Sequence, residues 1–215
     1  MKHFVVIDLE MCAVPKKNRS SFRCKNETIE IGAVLLDKEL NICDTFKTYV
    51  HPEFGVIDSY IINLTGITTK QTDAAPTFTE AMKMFLEWLP EDCVLVAWSD
   101  NDKAQLQKEA FYKDFEYPGF TELLEDSLDC QVDFGEKMNS PKTYSLSEAL
   151  IIADIAYDEG AHDALVDAHN TALLFAKMQK QDILELNPYY NPAQGETHLT
   201  YNPFADLLSK LSIAG

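Results

Sequence analysis

The 215-residue chain has few glycines and prolines, and it has no long apolar run. It contains eight glycines and nine prolines, with 46% hydrophobic and 25% charged residues, a composition typical of globular proteins. No apolar stretch approaches the roughly 20 residues that a bilayer-spanning helix needs. The apolar run Phe4–Ile7 ends at Asp8 and is too short for the core of a secretory signal. We therefore expect a cytoplasmic globular protein.

Cysteine is present, but it has no pairing pattern. The five cysteines are odd in number, scattered along the chain and never spaced as Cys-x-x-Cys. This distribution argues against a disulfide framework and against a structural zinc site. We expect reduced and mostly buried thiols.

Basic residues are scarce. The 18 lysines and arginines stand against 35 acidic residues, which gives a formal net charge of −17. Because phosphates are usually bound by Lys and Arg, this balance argues against the wrapping of long duplexes. Five of the 18 basic residues nevertheless lie in one stretch, Lys16–Lys25, which we call the basic segment. Two interpretations remain open for it, a solvated loop and a substrate contact.

Hydrophobic periodicity predicts strands first and then alternating helices and strands. The predicted strands are Phe4–Leu9, Thr28–Asp37, Ile42–Val50, Cys93–Trp98 and a segment near Ser127–Val132. Helices are predicted after the capping patterns at Thr68, Thr77 and Ser145, and over Asp102–Tyr112 and Asp163–Lys180. This order predicts an α/β fold with helices on a mixed sheet. We expect one domain at residues 1–186 and a tail of unknown role at residues 187–215.

Carboxylates follow two of the predicted strands. Asp8 and Glu10 end the first strand, and side chains at positions i and i+2 point to the same side. Asp102 follows the strand Cys93–Trp98, where a helix N-terminus would also explain an aspartate. Asp100 competes with Asp102 for any functional role. Neither group is diagnostic alone.

His162 and Asp167 flank the predicted start of the last helix. One of them could bind a metal while the other transfers a proton, although an isolated His-x4-Asp is common. The combination is more specific, because Asp-x-Glu, a later Asp and His-x4-Asp occur in this order on suitable elements. That order resembles the DEDDh 3′→5′ exonucleases, and the likeness runs from Phe4 to about Met178.

Three short stretches resemble the branch of that family that trims histone mRNA and small RNAs. They are Leu64–Thr68 (LTGIT), Trp98–Asp102 (WSDND) and Asp167–Asn170 (DAHN). The branch tends to have Trp-Gly-x-aromatic-Asp at the second stretch, so Ser99 and Asn101 depart from its pattern. The alignment assigns the catalytic position to Asp102 ahead of Asp100.

The resemblance implies an RNase H-like fold, a five-stranded mixed sheet with flanking helices and the acids at its centre. It also implies a division of roles: metal ligands Asp8, Glu10, Asp102 and Asp167, general base His162, and substrate contacts Met11, Leu64 and Thr65. Two Mg²⁺ or Mn²⁺ ions would serve a two-metal-ion mechanism, since hard cations prefer carboxylate oxygens. The products would be nucleoside 5′-monophosphates, released from the 3′ end of single-stranded RNA or DNA.

The departures at Ser99 and Asn101 and the acidic charge keep one alternative open. It is a catalytically idle, nucleic-acid-binding or regulatory member of the same fold. A second alternative keeps the enzyme but places it in another branch of the family, such as proofreading or the scavenging of very short RNA. The sequence indicates neither a choice between RNA and DNA nor an oligomeric state.

Overall fold

The central strand, β1, runs from His3 to Ala13 and reads HFVVIDLEMCA. The computed structural model describes residues 2–157, 160 and 162–190 of the chain. In this part, the other strands are β2 (Asn26–Leu36), β3 (Ile42–Tyr49), β4 (Cys93–Ala97) and β5 (Leu128–Asp129). They form a five-stranded sheet in the order β3-β2-β1-β4-β5. Since β2 is antiparallel to β1 and β3 while β4 is parallel to β1 and β5, the predicted mixed sheet is confirmed.

Helices fill the connections after β3. The described residues form α1 (Ser59–Thr65), α2 (Thr69–Thr72), α3 (Phe78–Trp88), α4 (Asp100–Tyr112), α5 (Phe120–Glu125), α6 (Cys130–Lys137), α7 (Leu146–Ile152) and α8 (Ala164–Lys180). The predicted capping patterns are present, because the side chains of Gln71 and Glu80 accept hydrogen bonds from the backbone N–H groups of Thr68 and Thr77.

The sheet separates two apolar clusters. Val5 and Ile7 of β1 pack with residues of α3, α4 and α5 on one face. Val6 points to the other face and packs with residues of α6, α7 and α8. This alternation is expected of a central strand covered on both sides. One face of α8 is apolar, since Ala168, Ala172 and Phe175 are fully buried in the second of these clusters.

Several predicted boundaries were wrong. The first strand was predicted to end at Leu9, but β1 continues to Ala13. Capping explains two of the others. The strand near Ser127–Val132 ends at Asp129, because the Asp129 side chain accepts a hydrogen bond from Val132 N–H at 2.9 Å and begins α6. Helix α4 begins two residues before Asp102, because the Ser99 side chain accepts from Asn101 N–H. A side chain that satisfies free N–H groups decides where a helix begins.

Most of the predicted tail, residues 191–215, lies outside the described residues. Asn187 is 8% exposed, and its backbone N–H donates to the Ile152 carbonyl at 2.8 Å. The boundary after residue 186 stays a prediction. Among the described residues, no helix has the length and apolar character to cross a membrane, and the cytoplasmic location also stays a prediction.

Candidate active site

Asp8 and Glu10 lie on the same side of β1, beside β2. Asp8 is opposite Gly32, and Glu10 is opposite Glu30. The β1–β2 register shifts directly after Glu10, so a bulge interrupts the ladder next to the carboxylates. Glu10 is only 8% exposed. The central strand therefore presents two acids directly before its register with β2 shifts.

Asp102 joins these acids from the first turn of α4. It is 7% exposed, and its carboxylate accepts a hydrogen bond from the backbone N–H of Leu9 on β1. Asp100 is exposed at the start of the same helix, and its backbone N–H donates to Asp129. The structure thus brings Asp102, and not Asp100, to the acids of β1.

His162 and Asp167 meet at the start of α8. The His162 backbone N–H donates to the Asp167 carboxylate at 2.9 Å, and His162 has a left-handed backbone with φ of 70°. Asp163 caps the helix by accepting from the N–H groups of Leu165 and Val166. The exposed His162 therefore lies in the turn before the helix, with Asp167 one turn inside it.

Carboxylate oxygens of Glu10 and Asp167 and a ring nitrogen of His162 lie within 4.8 Å of one another. These three residues are potential ligands of one cation. Asp8 and Asp102 belong to the same group, because their negative charges and those of Glu10 and Asp167 repel one another. The five residues predicted from the sequence thus converge in one place.

Burial and mutual repulsion raise the pKa values of these acids. Burial raises the pKa of Glu10 to about 8, and the negative charges of Asp167 and Glu30 add to the effect. Burial also raises the pKa of Asp102 to about 7, against the hydrogen bond from Leu9. The pKa of Asp8 is raised well above its usual value by burial and then by the charge of Asp102. Such a group binds protons or cations readily, because either relieves the repulsion.

The donor set fits hard divalent cations. Carboxylate oxygens are the ligands that Mg²⁺ and Mn²⁺ prefer, and crowded acids are stabilised by a positive charge between them. The imidazole of His162 adds one nitrogen at the exposed side of the group. The residues present therefore suit the metal type implied by the resemblance.

A second set of polar residues, missed from the sequence, anchors the start of α8 to the sheet. Glu30 is 1% exposed, and its carboxylate accepts from the Ala164 backbone N–H at 2.9 Å. Lys47 of β3 forms ion pairs with Glu30 at 3.1 Å and with Asp163 at 2.5 Å. One signal was available, because Glu30 is an acid between the apolar residues Ile29 and Ile31.

Gly32 allows this close contact. A Cβ atom at position 32 would lie 2.2 Å from the carbonyl carbon of Ala164, a distance that no side chain could adopt. The absence of a side chain lets the helix start touch the backbone of β2. Asp167 consequently reaches the acids of β1 from a helix that rests directly on the sheet, and His162 reaches them from the turn before that helix.

The three predicted substrate contacts lie on two elements. Met11 is half-buried against the apolar cluster around Val5 and Ile7. Leu64 and Thr65 end α1 and are half-buried. The Thr65 hydroxyl donates to the Ile61 carbonyl and accepts from Ile67 N–H, so it also stabilises the helix end.

Comparison with known proteins gives the class of the chain. The exonuclease family RNase_T matches residues 5–175. The 3′-5′ exoribonuclease 1 of Rattus norvegicus is 30% identical over 172 residues, which cover 75% of this chain and 49% of the relative. The DNA polymerase III subunit epsilon of Aquifex aeolicus is 31% identical over 180 residues, which cover 83% of this chain and 81% of the relative.

A solved structure supports the same family as these two relatives. The nuclease domain of 3′hExo, a DEDDh family member bound to rAMP, is 27% identical, with a TM-score of 0.72 over 86% of this chain and 96% of that one. The chain therefore belongs to the exonuclease family, and the predicted RNase H-like fold is confirmed. It spans about a third to a half of the length of the animal exoribonucleases it matches.

Proposed function

We propose that the chain is a metal-dependent 3′→5′ exonuclease that releases nucleoside 5′-monophosphates from single-stranded RNA or DNA. The observation that carries this proposal is the convergence of four acids and one histidine from three separate elements. The acids are Asp8, Glu10, Asp102 and Asp167, and the histidine is His162. A structural role explains each residue alone, but it does not explain why four repelling acids, two buried and two half-buried, converge in one place.

The four acids would hold two divalent ions, Mg²⁺ or Mn²⁺. When bound, such ions lower the pKa of water and stabilise the attacking and leaving oxygens of an in-line displacement. The protein orients the ligands: β1 fixes Asp8 and Glu10, the first turn of α4 fixes Asp102, and the anchored start of α8 fixes Asp167.

His162 would take the proton of the attacking water. Its ring is exposed, and its nitrogen lies within 4.8 Å of the Glu10 and Asp167 carboxylates, so it faces the ligand group from the solvent side. The hydrogen bond from its backbone N–H to Asp167 ties the position of the ring to the helix start. A neutral imidazole so placed can act as a general base.

Met11, Leu64 and Thr65 would contact the terminal base and sugar. The two apolar side chains are half-buried, so each retains a surface on which a base can pack. The relatives named exoribonuclease favour RNA as substrate, whereas the polymerase subunit favours DNA. Both nucleic acids therefore belong in the test.

One comparison of neighbouring aspartates tests the proposal. Labelled at the 5′ end, single-stranded RNA and DNA are incubated with Mg²⁺, Mn²⁺ or EDTA. We expect digestion to give a ladder of products shortened from the 3′ end and to stop in EDTA. Asp102→Asn should lower the rate of digestion about 10³-fold, the effect of several kcal/mol of lost charge stabilisation.

Asp100→Asn is the matched control, because Asp100 begins the same helix but is exposed. It should retain the activity of the unmodified protein. A protein that binds these oligonucleotides but never shortens them would instead be the catalytically idle member of the fold. Equal loss in both variants would contradict the assignment of Asp102 as a ligand.

A further inference from the structure

The basic segment, Lys16–Lys25, is a loop with a packed interior and an exposed, charged outer side. The Val14 backbone N–H donates to the Lys25 carbonyl at 2.8 Å and closes the loop. Phe22 is fully buried, and its ring stacks on Phe54 with centroids 4.8 Å apart. The Asn18 side chain donates to the Phe54 carbonyl at 2.7 Å. The loop therefore has a small apolar core of its own, and its charged side chains lie outside that core.

Those charges are not neutralised by the protein. Lys16, Lys17, Arg23 and Lys25 are exposed, and the segment contains no acidic residue. In the described part of the chain, none of its basic groups lies within 4.0 Å of a carboxylate oxygen. Within the described residues, a chain with 35 acidic residues thus leaves this group of cations without an ion pair. Such a group attracts anions.

The end of α4 continues this surface with aromatic rings. Lys108, Phe111 and Tyr112 are spaced i, i+3 and i+4, so they share one helix face, and all three are exposed. Phe111 is 74% exposed, and its ring lies edge-on to Tyr112 with centroids 5.1 Å apart. Tyr112 in turn lies edge-on to Phe22 of the basic segment at 6.1 Å. The rings and the unpaired cations therefore adjoin.

We propose that this surface binds the nucleotides upstream of the 3′ end of a single strand. Phosphates would contact the cations of the basic segment, and bases would stack on Phe111 and Tyr112, because every base offers a π-face. Charge complementarity supports a nucleic acid as the occupant, since these cations cluster in one loop and form no ion pair with the described residues. The inference rests on the proposed exonuclease function.

Helix α4 connects this surface to the candidate active site. Asp102 lies in the first turn of α4 and Phe111 near its end. Nine residue steps separate them, which correspond to about 14 Å along the helix axis at about 1.5 Å per residue. This axial distance equals about four stacked nucleotides at about 3.4 Å each, and it is a lower limit because nine steps also turn Phe111 to the opposite side of the helix from Asp102. A trinucleotide would thus occupy the acids without reaching Phe111, whereas a longer strand would reach it.

The test compares KM for a trinucleotide with KM for an oligonucleotide of about 12 nucleotides, a length that spans a typical single-strand site. We expect the unmodified protein to have a lower KM for the longer strand. Phe111→Ala should raise that KM about tenfold, within the range for loss of one stacked base. Lys16→Ser with Lys17→Ser should reduce the salt dependence of binding by about 1.4 in log–log slope, about 0.7 per phosphate contact.

A charge-matched control is Lys38→Ser with Lys83→Ser, which removes two exposed lysines from the β2–β3 turn and from α3. It should retain both the KM ratio and the salt slope. The inference is wrong if oligonucleotides are shortened but Phe111→Ala leaves KM for the longer strand as low as in the unmodified protein. An acidic protein then becomes the better occupant. If the unmodified protein shortens neither strand, the proposed function fails instead.

Discussion

Asp8 shows how a residue can favour function at the expense of stability. Its carboxylate lies among other acids, and burial together with the charge of Asp102 raises its pKa well above the usual value. Without a cation, the folded protein must hold this group against repulsion. Removing the charge therefore relieves the fold while removing a proposed metal ligand.

We expect Asp8→Asn to reduce turnover about 10³-fold in Mg²⁺, the effect of several kcal/mol of lost charge stabilisation. The same variant should unfold at a higher temperature in EDTA, because each 1 kcal/mol gained raises Tm by about 2–4 °C in a protein of this size. Thermal unfolding and oligonucleotide digestion measure the two effects. Near-full turnover by the variant would exclude Asp8 as a ligand.

At the scale of the element, the start of α8 depends on contacts with β2 and β3. Glu30 accepts from Ala164 N–H, and Lys47 links Glu30 to the helix cap Asp163. These contacts touch neither His162 nor the acids of β1 directly. We expect these contacts to set the positions of His162 and Asp167, because those positions depend on the orientation of the helix start.

Lys47→Met should therefore lower kcat about 10- to 100-fold, the cost of a displacement of about 1 Å at a reacting group, with little change in KM. Lys47→Arg should recover most of the loss, because it restores the ion pairs. Lys142→Met is the control, since it removes a surface ion pair with Glu148 elsewhere in the chain. A lower Tm with unchanged kcat would reduce Lys47 to a structural role.

The sequence was sufficient for elements and residues whose signal is local. Apolar runs and capping residues predicted most strands and helices, and the order of acids and histidine predicted which residues converge. The sequence was insufficient where contacts between residues far apart in the chain determine the role of a residue. Glu30 and Lys47 gain their role only from contact with α8, and Gly32 shows its importance only once Ala164 is packed against it. The acid between Ile29 and Ile31 marks Glu30 as unusual, but the local pattern does not show which residues it contacts.

For the whole molecule, the crowded acids link pH, metal and stability. Folding raises the pKa of Glu10 from 4.5 to about 8 and that of Asp102 from 3.8 to about 7, mainly through burial. Protonated carboxyls favour the folded state, so this contribution is complete below pH 4 and is lost as the pH rises through about 7 to 8. The net charge of −17 acts in the same direction.

We expect the metal-free protein to have a lower Tm at pH 8.5 than at pH 6. Added Mg²⁺ should raise Tm more at pH 8.5, because at pH 6 the ions must displace protons from Glu10 and Asp102. Thermal unfolding in EDTA and in Mg²⁺ at both values measures this. The Asp8→Asn variant should show a smaller Mg²⁺ effect, and a Mg²⁺ effect that is equal at both values would contradict the linkage.

The contact between Glu30 and α8 also sets an order of events during protein synthesis. Glu30 and Ala164 are 134 residues apart in the chain. At about 5–20 residues per second, the ribosome makes the start of α8 roughly 7–27 s after Glu30. During that interval the strand with Asp8 and Glu10 exists without His162 or Asp167. A nascent chain therefore cannot assemble the candidate active site until its last described helix has emerged and docked.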